Sequence, residues 1–142
     1  MTIIGIDPGP TESAIAIYDQ KTHRIRGASI QDNEALVREI PNIPADILVV
    51  EWVSNYGMVA GADLFMTALW CGRFIESWDG GEMLLLTRPE IKRRLCGNRN
   101  AKGPELRQQI MALFGGEEAA IGNKKCPQCK GKGWFGAGRQ SS

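Results

Sequence analysis

The chain has no apolar run approaching the roughly 18 residues that a membrane-spanning helix needs. Nor does Met1-Thr2-Ile3-Ile4-Gly5-Ile6-Asp7 place a basic stretch ahead of a long apolar segment, so no secretory signal is expected. Cysteine is scarce: Cys71, Cys96, Cys126 and Cys129 do not make a disulfide scaffold in a chain of this size. These absences predict a cytoplasmic protein with no membrane partner. The single histidine, His23, lies far from the cysteines and reads as a surface residue. At 142 residues the chain lacks the length for two full-sized domains but can bury one sizeable core. Residues 122–142 contain no acidic residue and little periodicity. They cannot build a core and need metal, nucleic acid or a partner to order. The division expected is a core over 1–115 and a basic Gly/Lys-rich tail over 116–142.

What charge there is lies unevenly. Residues 1–87 hold 12 Asp/Glu against 5 Lys/Arg, a net of −7, and residues 88–142 hold 4 against 12, a net of +8. A basic part joined to an acidic part fits a polyanion held beside a carboxylate cluster. Two surfaces that pair with each other, or that are simply solvated, give the same totals.

Thr2 to Asp7 is short and β-branched and runs into Pro8-Gly9-Pro10, which predicts a buried strand and a turn. Ser13 to Tyr18 and Arg24 to Ile30 follow as strands, and their short connections favour an antiparallel meander. Asp32 or Asn33 caps a helix running to about Ile40, ended by prolines 41 and 44. Ile47-Leu48-Val49-Val50 suits a central strand buried on both faces, and it ends in Glu51. A glycine-rich loop over 55–61 leads into a helix from about Ala62 to Trp78, whose core face is expected at Phe65, Leu69, Gly72 and Ile75. Met83 to Leu86 is a fifth strand, and helices follow over 88–95 and from Gly103 to about Phe114. The outline is a mixed α/β sheet, three antiparallel strands and then parallel ones, flanked by helices.

Three groups of residues carry chemistry. Asp7 and Glu51 each end a strand where the chain leaves the core, the edge at which α/β sheets bind ligands. With the first and fourth strands adjacent, the two carboxylates share divalent cations such as Mg²⁺, and two metals about 4 Å apart would stabilise both the attacking and the leaving oxygen of a phosphodiester. Otherwise Asp7 caps a turn and Glu51 is an ordinary strand-end residue. Arg88, Lys92, Arg93, Arg94, Arg99, Lys102 and Arg107 form either a phosphate-tracking face or a solvated one. Cys126 and Cys129, in Cys126-Pro127-Gln128-Cys129-Lys130-Gly131-Lys132-Gly133-Trp134, have the spacing of one zinc knuckle. Zn²⁺ needs four ligands, and Cys71 and Cys96 read as core residues instead. Trp52, Trp70, Trp78 and Trp134 read mostly as core, and Tyr56 is the aromatic best placed to stack on an exposed base.

In order along the chain, Ile3-Ile4-Gly5-Ile6-Asp7-Pro8-Gly9, the strand ending in Glu51 and Cys96-Gly97-Asn98-Arg99-Asn100-Ala101-Lys102 resemble RuvC-type Holliday junction resolvases. The likeness is greatest to the phage and prophage branch, with segments similar to 57–61, 70–74 and 126–134. It implies an RNase H-like fold, a homodimer in a bacterial or phage-infected cell, and Mg²⁺-dependent nicking of four-way DNA junctions during recombination or DNA repair. It further implies that Asp7 and Glu51 are the first two metal ligands, that Lys102 lies near the DNA backbone and that Tyr56 sits in the loop probing the junction. Arg93, Arg94, Arg99 and Arg107 complete the expected DNA contacts. Members of the family continue past the cysteine segment into a helix carrying the remaining carboxylates, which Gly138-Arg139-Gln140-Ser141-Ser142 does not supply. Truncation with impaired catalysis is therefore expected, with Asp63, Glu76, Glu117 and Glu118 as the substitutes at hand. A branched-DNA-binding protein without nuclease activity is the alternative. The segment Gly5 to Ser13 also resembles the phosphate loop of actin-like and Hsp70-like ATPases, which need two lobes to enclose ATP.

Overall fold

In a computed structural model, which describes residues 1–116, the first third of the chain forms the expected meander. Strands β1 (Thr2–Asp7), β2 (Glu12–Asp19) and β3 (Arg24–Asp32) pair antiparallel in sequence order. After α1 (Asn33–Glu39) and a single 3₁₀ turn at Ile40–Asn42, the chain crosses back as β4 (Ile47–Trp52), parallel to β1. Helix α2 (Ala62–Ser77) then leads to β5 (Glu82–Thr87), parallel to β4. The five-stranded order is β3-β2-β1-β4-β5. Helices α3 (Arg88–Cys96) and α4 (Gly103–Leu113) pack against each other beyond β5.

Alternation along the strands sorts the residues onto two faces. One carries Ile4, Ile6, Ile15, Leu48 and Val50, and closes against Leu36, Ile40, Trp70, Cys71 and Phe74 of the first two helices and their junction. The other face carries Gly5, Ala14, Ala16, Ala28 and Val49, whose small side chains leave an open groove of about 520 Å³. β4 is therefore fully buried on one side only, with Ile47 and Val49 half-buried, and the continuous apolar run overstates its enclosure. The expected core face of α2 holds only at Ile75, which packs against the core; Phe65 and Leu69 are 67% and 54% exposed, and Thr67, Trp70, Cys71 and Phe74 are the buried residues. Apolar residues occur all around this helix, so spacing alone does not choose its inner side. Trp52 is partly exposed rather than core.

Local chemistry fixes the connections. Asp32 caps α1 by accepting the Ala35 N–H at 3.1 Å. Thr87 and Glu90 form a capping box at the start of α3, with Glu90 accepting from the Thr87 N–H and hydroxyl at 2.7 Å each. Gly97 ends that helix in the left-handed region, at φ 70°. Arg73 of α2 stacks 4.2 Å from the Trp70 ring centre and pairs with Glu34 of α1 at 3.1 Å. No helix among the described residues is long and apolar enough to cross a membrane.

Candidate active site

Strand β1 reverses its neighbours' direction of progress: the chain moves outward through β2 and β3, then returns to the other side of β1 as β4. Such switch points open a crevice at the carboxyl ends of the parallel strands. Ile6 is in register with Val50, so the next residues, Asp7 and Glu51, leave adjacent strand ends on the same face, and both line the open groove. The expectation that strands one and four are neighbours holds.

The turn that follows Asp7 is pinned by buried polar groups. Ser13 Oγ accepts the Gly9 N–H at 3.1 Å and donates to Asn33 Oδ1 at 2.6 Å, while Asn33 Nδ2 donates to the Gly9 carbonyl at 2.9 Å. The Asn33 N–H is satisfied by the Thr11 carbonyl at 3.0 Å. Ser13 and Asn33 are 2% and 1% exposed, so this network works in a low dielectric. A Cβ on Gly9 would collide with the Glu12 carbonyl, which makes glycine obligatory in this turn. Asn33 is thus not the helix cap but the fastener of the Asp7 turn, a role its polar identity next to a plausible cap did not disclose.

Electrostatics at the strand ends favour a cation. Burial raises the Asp7 carboxyl above its ordinary range, and Arg88 partly offsets this. Burial raises Glu51 too, the neighbouring Asp7 charge adds to the rise, and Arg88 and Lys92 oppose it. Arg88 Nη1 donates to Glu51 Oε1 at 3.2 Å. Arg88 and Lys92 lie one turn apart on α3, so one side of that helix turns its positive charge toward the pair. The sequence shows both residues in the basic stretch but gives no sign that they serve the carboxylates. Cys71 lies beneath, its Sγ 3.8 Å from the Glu51 carbonyl, and burial raises its thiol. It is a core residue, as expected.

Two close carboxylates with raised affinity for protons are hard-oxygen donors, and Mg²⁺ characteristically takes one or two carboxylates with waters and substrate phosphates completing its shell. Asp7 and Glu51 therefore fit one such cation. Among the described residues no group of three or more Asp, Glu, His or Cys side chains forms a further metal site. Asp63 and Glu76, in the first and last turns of α2, do not join the pair. Glu117, Glu118, Cys126, Cys129 and Trp134 lie outside the described residues.

The basic residues divide. Tyr56, Arg93 and Arg99 meet around a second cavity of about 330 Å³, with Thr87, Pro89 and Glu90. Arg94 is exposed in the last turn of α3. Lys102 is exposed at the start of α4, where its N–H is taken by Glu105 at 2.7 Å, and Arg107 is exposed on the same helix. None of these last three lines either cavity.

The sheet order and flanking helices are those of an RNase H-like fold of the RuvC type. No protein-family model matches the sequence, and no curated protein sequence matches it. Solved structures do. The chain is similar to the Thermus thermophilus RuvC structure with a TM-score of 0.67 and 16% identity, over 96% of this chain and 91% of that one. It is similar to T. thermophilus RuvC in complex with Holliday junction substrate with a TM-score of 0.62 and 14% identity, over 96% and 90%. At these identities the likeness establishes the fold.

Proposed function

We propose that this protein is a Mg²⁺-dependent, structure-selective endonuclease that resolves four-way DNA junctions in recombination, repair or phage DNA processing. The observation that carries this is the Asp7–Glu51 pair at the switch point of a RuvC-like sheet, flanked by Arg88 and Lys92. A junction-bound relative by fold supports the substrate, since one T. thermophilus RuvC structure contains Holliday junction substrate. Asp7 and Glu51 would hold the cation, which supplies charge neutralisation at the phosphodiester and Lewis acidity for attack by water. The chain's own residues do the rest. The Ser13–Asn33–Gly9 network holds the Asp7 turn, Arg88 offers its guanidinium to the phosphate once Glu51 is engaged, and Lys92, Arg94, Lys102 and Arg107 supply sequence-independent backbone affinity. A second metal and the zinc knuckle at Cys126 and Cys129 belong to the same reading.

Paired nicks require two equivalent sites, which a two-fold dimer supplies. The exposed stripe Phe65, Leu69 and Gly72 on α2 is the apolar surface we assign to that homodimer.

A non-catalytic branched-DNA-binding protein is the second reading, favoured by the Arg88–Glu51 ion pair and by there being only two clustered carboxylates among the described residues. A labelled junction and a matched linear duplex, each incubated with the protein with and without Mg²⁺, separate the two. Symmetric junction nicks that need Mg²⁺ support the nuclease. Junction-selective binding without nicks supports the second reading, and equal action on both DNAs contradicts junction selectivity in either.

A further inference from the structure

Strand β3 is an open edge of the sheet. It stands first in the order β3-β2-β1-β4-β5, and among the described residues β2 is the strand that pairs with it. Alternate N–H and C=O groups along the outer side of such a strand are ready to pair with another strand, and proteins blunt exposed edges with charge or proline. β3 carries charge toward its ends, at Arg24, Arg26 and Asp32. Its middle, Gly27-Ala28-Ser29-Ile30-Gln31, has neither charge nor proline, and Ile30 is 48% exposed.

A bulge decides which side chains share a face. Ile17 pairs with Gly27 and Tyr18 with Ile25, so Arg26 is an extra residue, and its guanidinium is held by Asp19 of the same hairpin. The alternation changes phase there. Ile25, Ala28 and Ile30 therefore all face the open groove. Arg24, Gly27, Ser29 and Gln31 face the α1 side, where the last two line a small cavity of about 190 Å³ with Glu39 from the end of α1. Arg24 and Glu39 are exposed, and neither takes part in an ion pair among the described residues. Asp32, by contrast, is engaged as the α1 cap.

These faces are self-complementary. Laid antiparallel against a copy of itself about a two-fold axis at Ala28, the strand sets Ala28 opposite the second copy's Ala28 and Gly27 opposite its Ser29. Ile25 then faces Ile30 of the second copy on the groove side, and Arg24 faces Gln31, beside the second copy's Glu39. The extra residue at Arg26 is what keeps each pair on one face, and each pairing occurs twice. Apolar branched pairs and opposite charges at facing positions are the contacts that stabilise antiparallel strands. We propose that β3 is a self-association edge, through which two copies of this chain join antiparallel, centred on Ala28, into one continuous sheet. The contact lies at the far end of the sheet from β5 and uses other residues than the α2 stripe, so it links dimers instead of forming them and goes beyond the nuclease reading. A single strand pair buries less than the roughly 1,200 Å² of a stable interface, so the association is weak, with a Kd on the order of 100 µM.

The test uses full-length protein carrying Leu69→Glu, which separates the α2 contact. Sedimentation is expected to show a monomer at a few micromolar and a growing dimer fraction at several hundred. Adding Ala28→Cys is expected to give a disulfide-linked dimer on mild oxidation, because facing Cα atoms in an antiparallel pair lie about 4.5–5.5 Å apart, within disulfide reach. Ile30→Cys would set its two thiols on Cα atoms about 14 Å apart along the strands, and is expected to cross-link at least about tenfold more slowly. The Leu69→Glu parent gives the background rate from the native cysteines. Arg24→Glu and Glu39→Arg are each expected to weaken the association several-fold, and the two together to restore it, with Tm unchanged within a few degrees. An Ala28→Cys protein that cross-links no faster than the parent, or no faster than Ile30→Cys, overturns the proposal. So does a charge swap that fails to recover the association, or a protein that stays monomeric throughout. None of these results bears on Mg²⁺-dependent nicking, which stands or falls separately.

Discussion

Asn33→Ala is predicted to loosen the turn behind Asp7 and, with it, the whole domain. The substitution removes the partner of the Ser13 hydroxyl proton at 2.6 Å and the donor to the Gly9 carbonyl at 2.9 Å, in a region where Ser13 and Asn33 are 2% and 1% exposed. Each stranded buried group costs about 1–3 kcal/mol. Two of them, together with the small void, give an expected loss of about 3–4 kcal/mol. At this chain length that corresponds to a fall in Tm on the order of 10 °C. Urea unfolding with an unchanged m-value would show that native stability is what fell. Asn33→Leu strands the same two groups without leaving the void, so its difference from Asn33→Ala isolates the packing contribution. The double variant Ser13→Ala/Asn33→Ala removes the hydroxyl as well, and is predicted to lose about 1 kcal/mol less than the sum of the single variants. A loss below about 1 kcal/mol for Asn33→Ala, or strict additivity in the double variant, would refute the network as the fastener of the turn.

Asp7→Asn removes one of two mutually repelling carboxylates and is expected to stabilise the metal-free protein by about 1 kcal/mol, as substitutions at strained functional sites commonly do. A thermal melt in chelator checks it, and a lower Tm would contradict it. Because burial lifts the Asp7 and Glu51 carboxyls above their ordinary values of 3.8 and 4.5, the folded state holds these protons more tightly than the unfolded chain. Their contribution to stability is full below those values and is lost as pH rises through the raised ones. Mg²⁺, which needs the ionised forms, should therefore raise Tm more at pH 8 than at pH 5, and an equal rise at both would count against the site. Arg88→Ala frees Glu51 from its ion pair and is expected to tighten Mg²⁺ binding in calorimetry while weakening binding to the junction. Unchanged metal affinity would remove Arg88 from the site. Leu69→Glu places a charge in the exposed α2 stripe and should convert a dimer to a monomer by light scattering without altering Tm by more than a few degrees.

Much of the sheet was legible because its strands are written in β-branched and small residues bounded by Pro, Gly and Asp, and because two short connections between the first three strands leave little choice but a meander. The pairing of Asp7 with Glu51 followed from one topological assumption, that the continuous run 47–50 lies beside the first strand. Helix α2 resisted because Phe65, Met66 and Leu69 point outward while Trp70, Cys71 and Phe74 point inward, a pattern without a clean apolar side. Asn33 was hidden since its partners, Ser13 and Gly9, are 20 and 24 residues away. Arg88 and Lys92 were visible as charge but not as charge aimed at Glu51, since that direction depends on how α3 leaves β5. The cavity at Tyr56 joins its loop to α3 and the turn after it, which begin about thirty residues further along the chain, and local spacing carries no trace of it.

The central claim is that Asp7 and Glu51 act as one cation-holding unit in junction cleavage. It is tested most directly by single-turnover nicking of a four-way junction across a Mg²⁺ series, comparing the unaltered protein with Asp7→Asn, Glu51→Gln and the double variant. Each single substitution is expected to slow nicking by about 10³-fold or more, and the double variant to be no slower than the worse single one, because residues that act as a unit are non-additive. Junction nicking that survives either substitution within a few-fold, or losses that multiply in the double variant, would show that the strand-end carboxylates are not the catalytic pair.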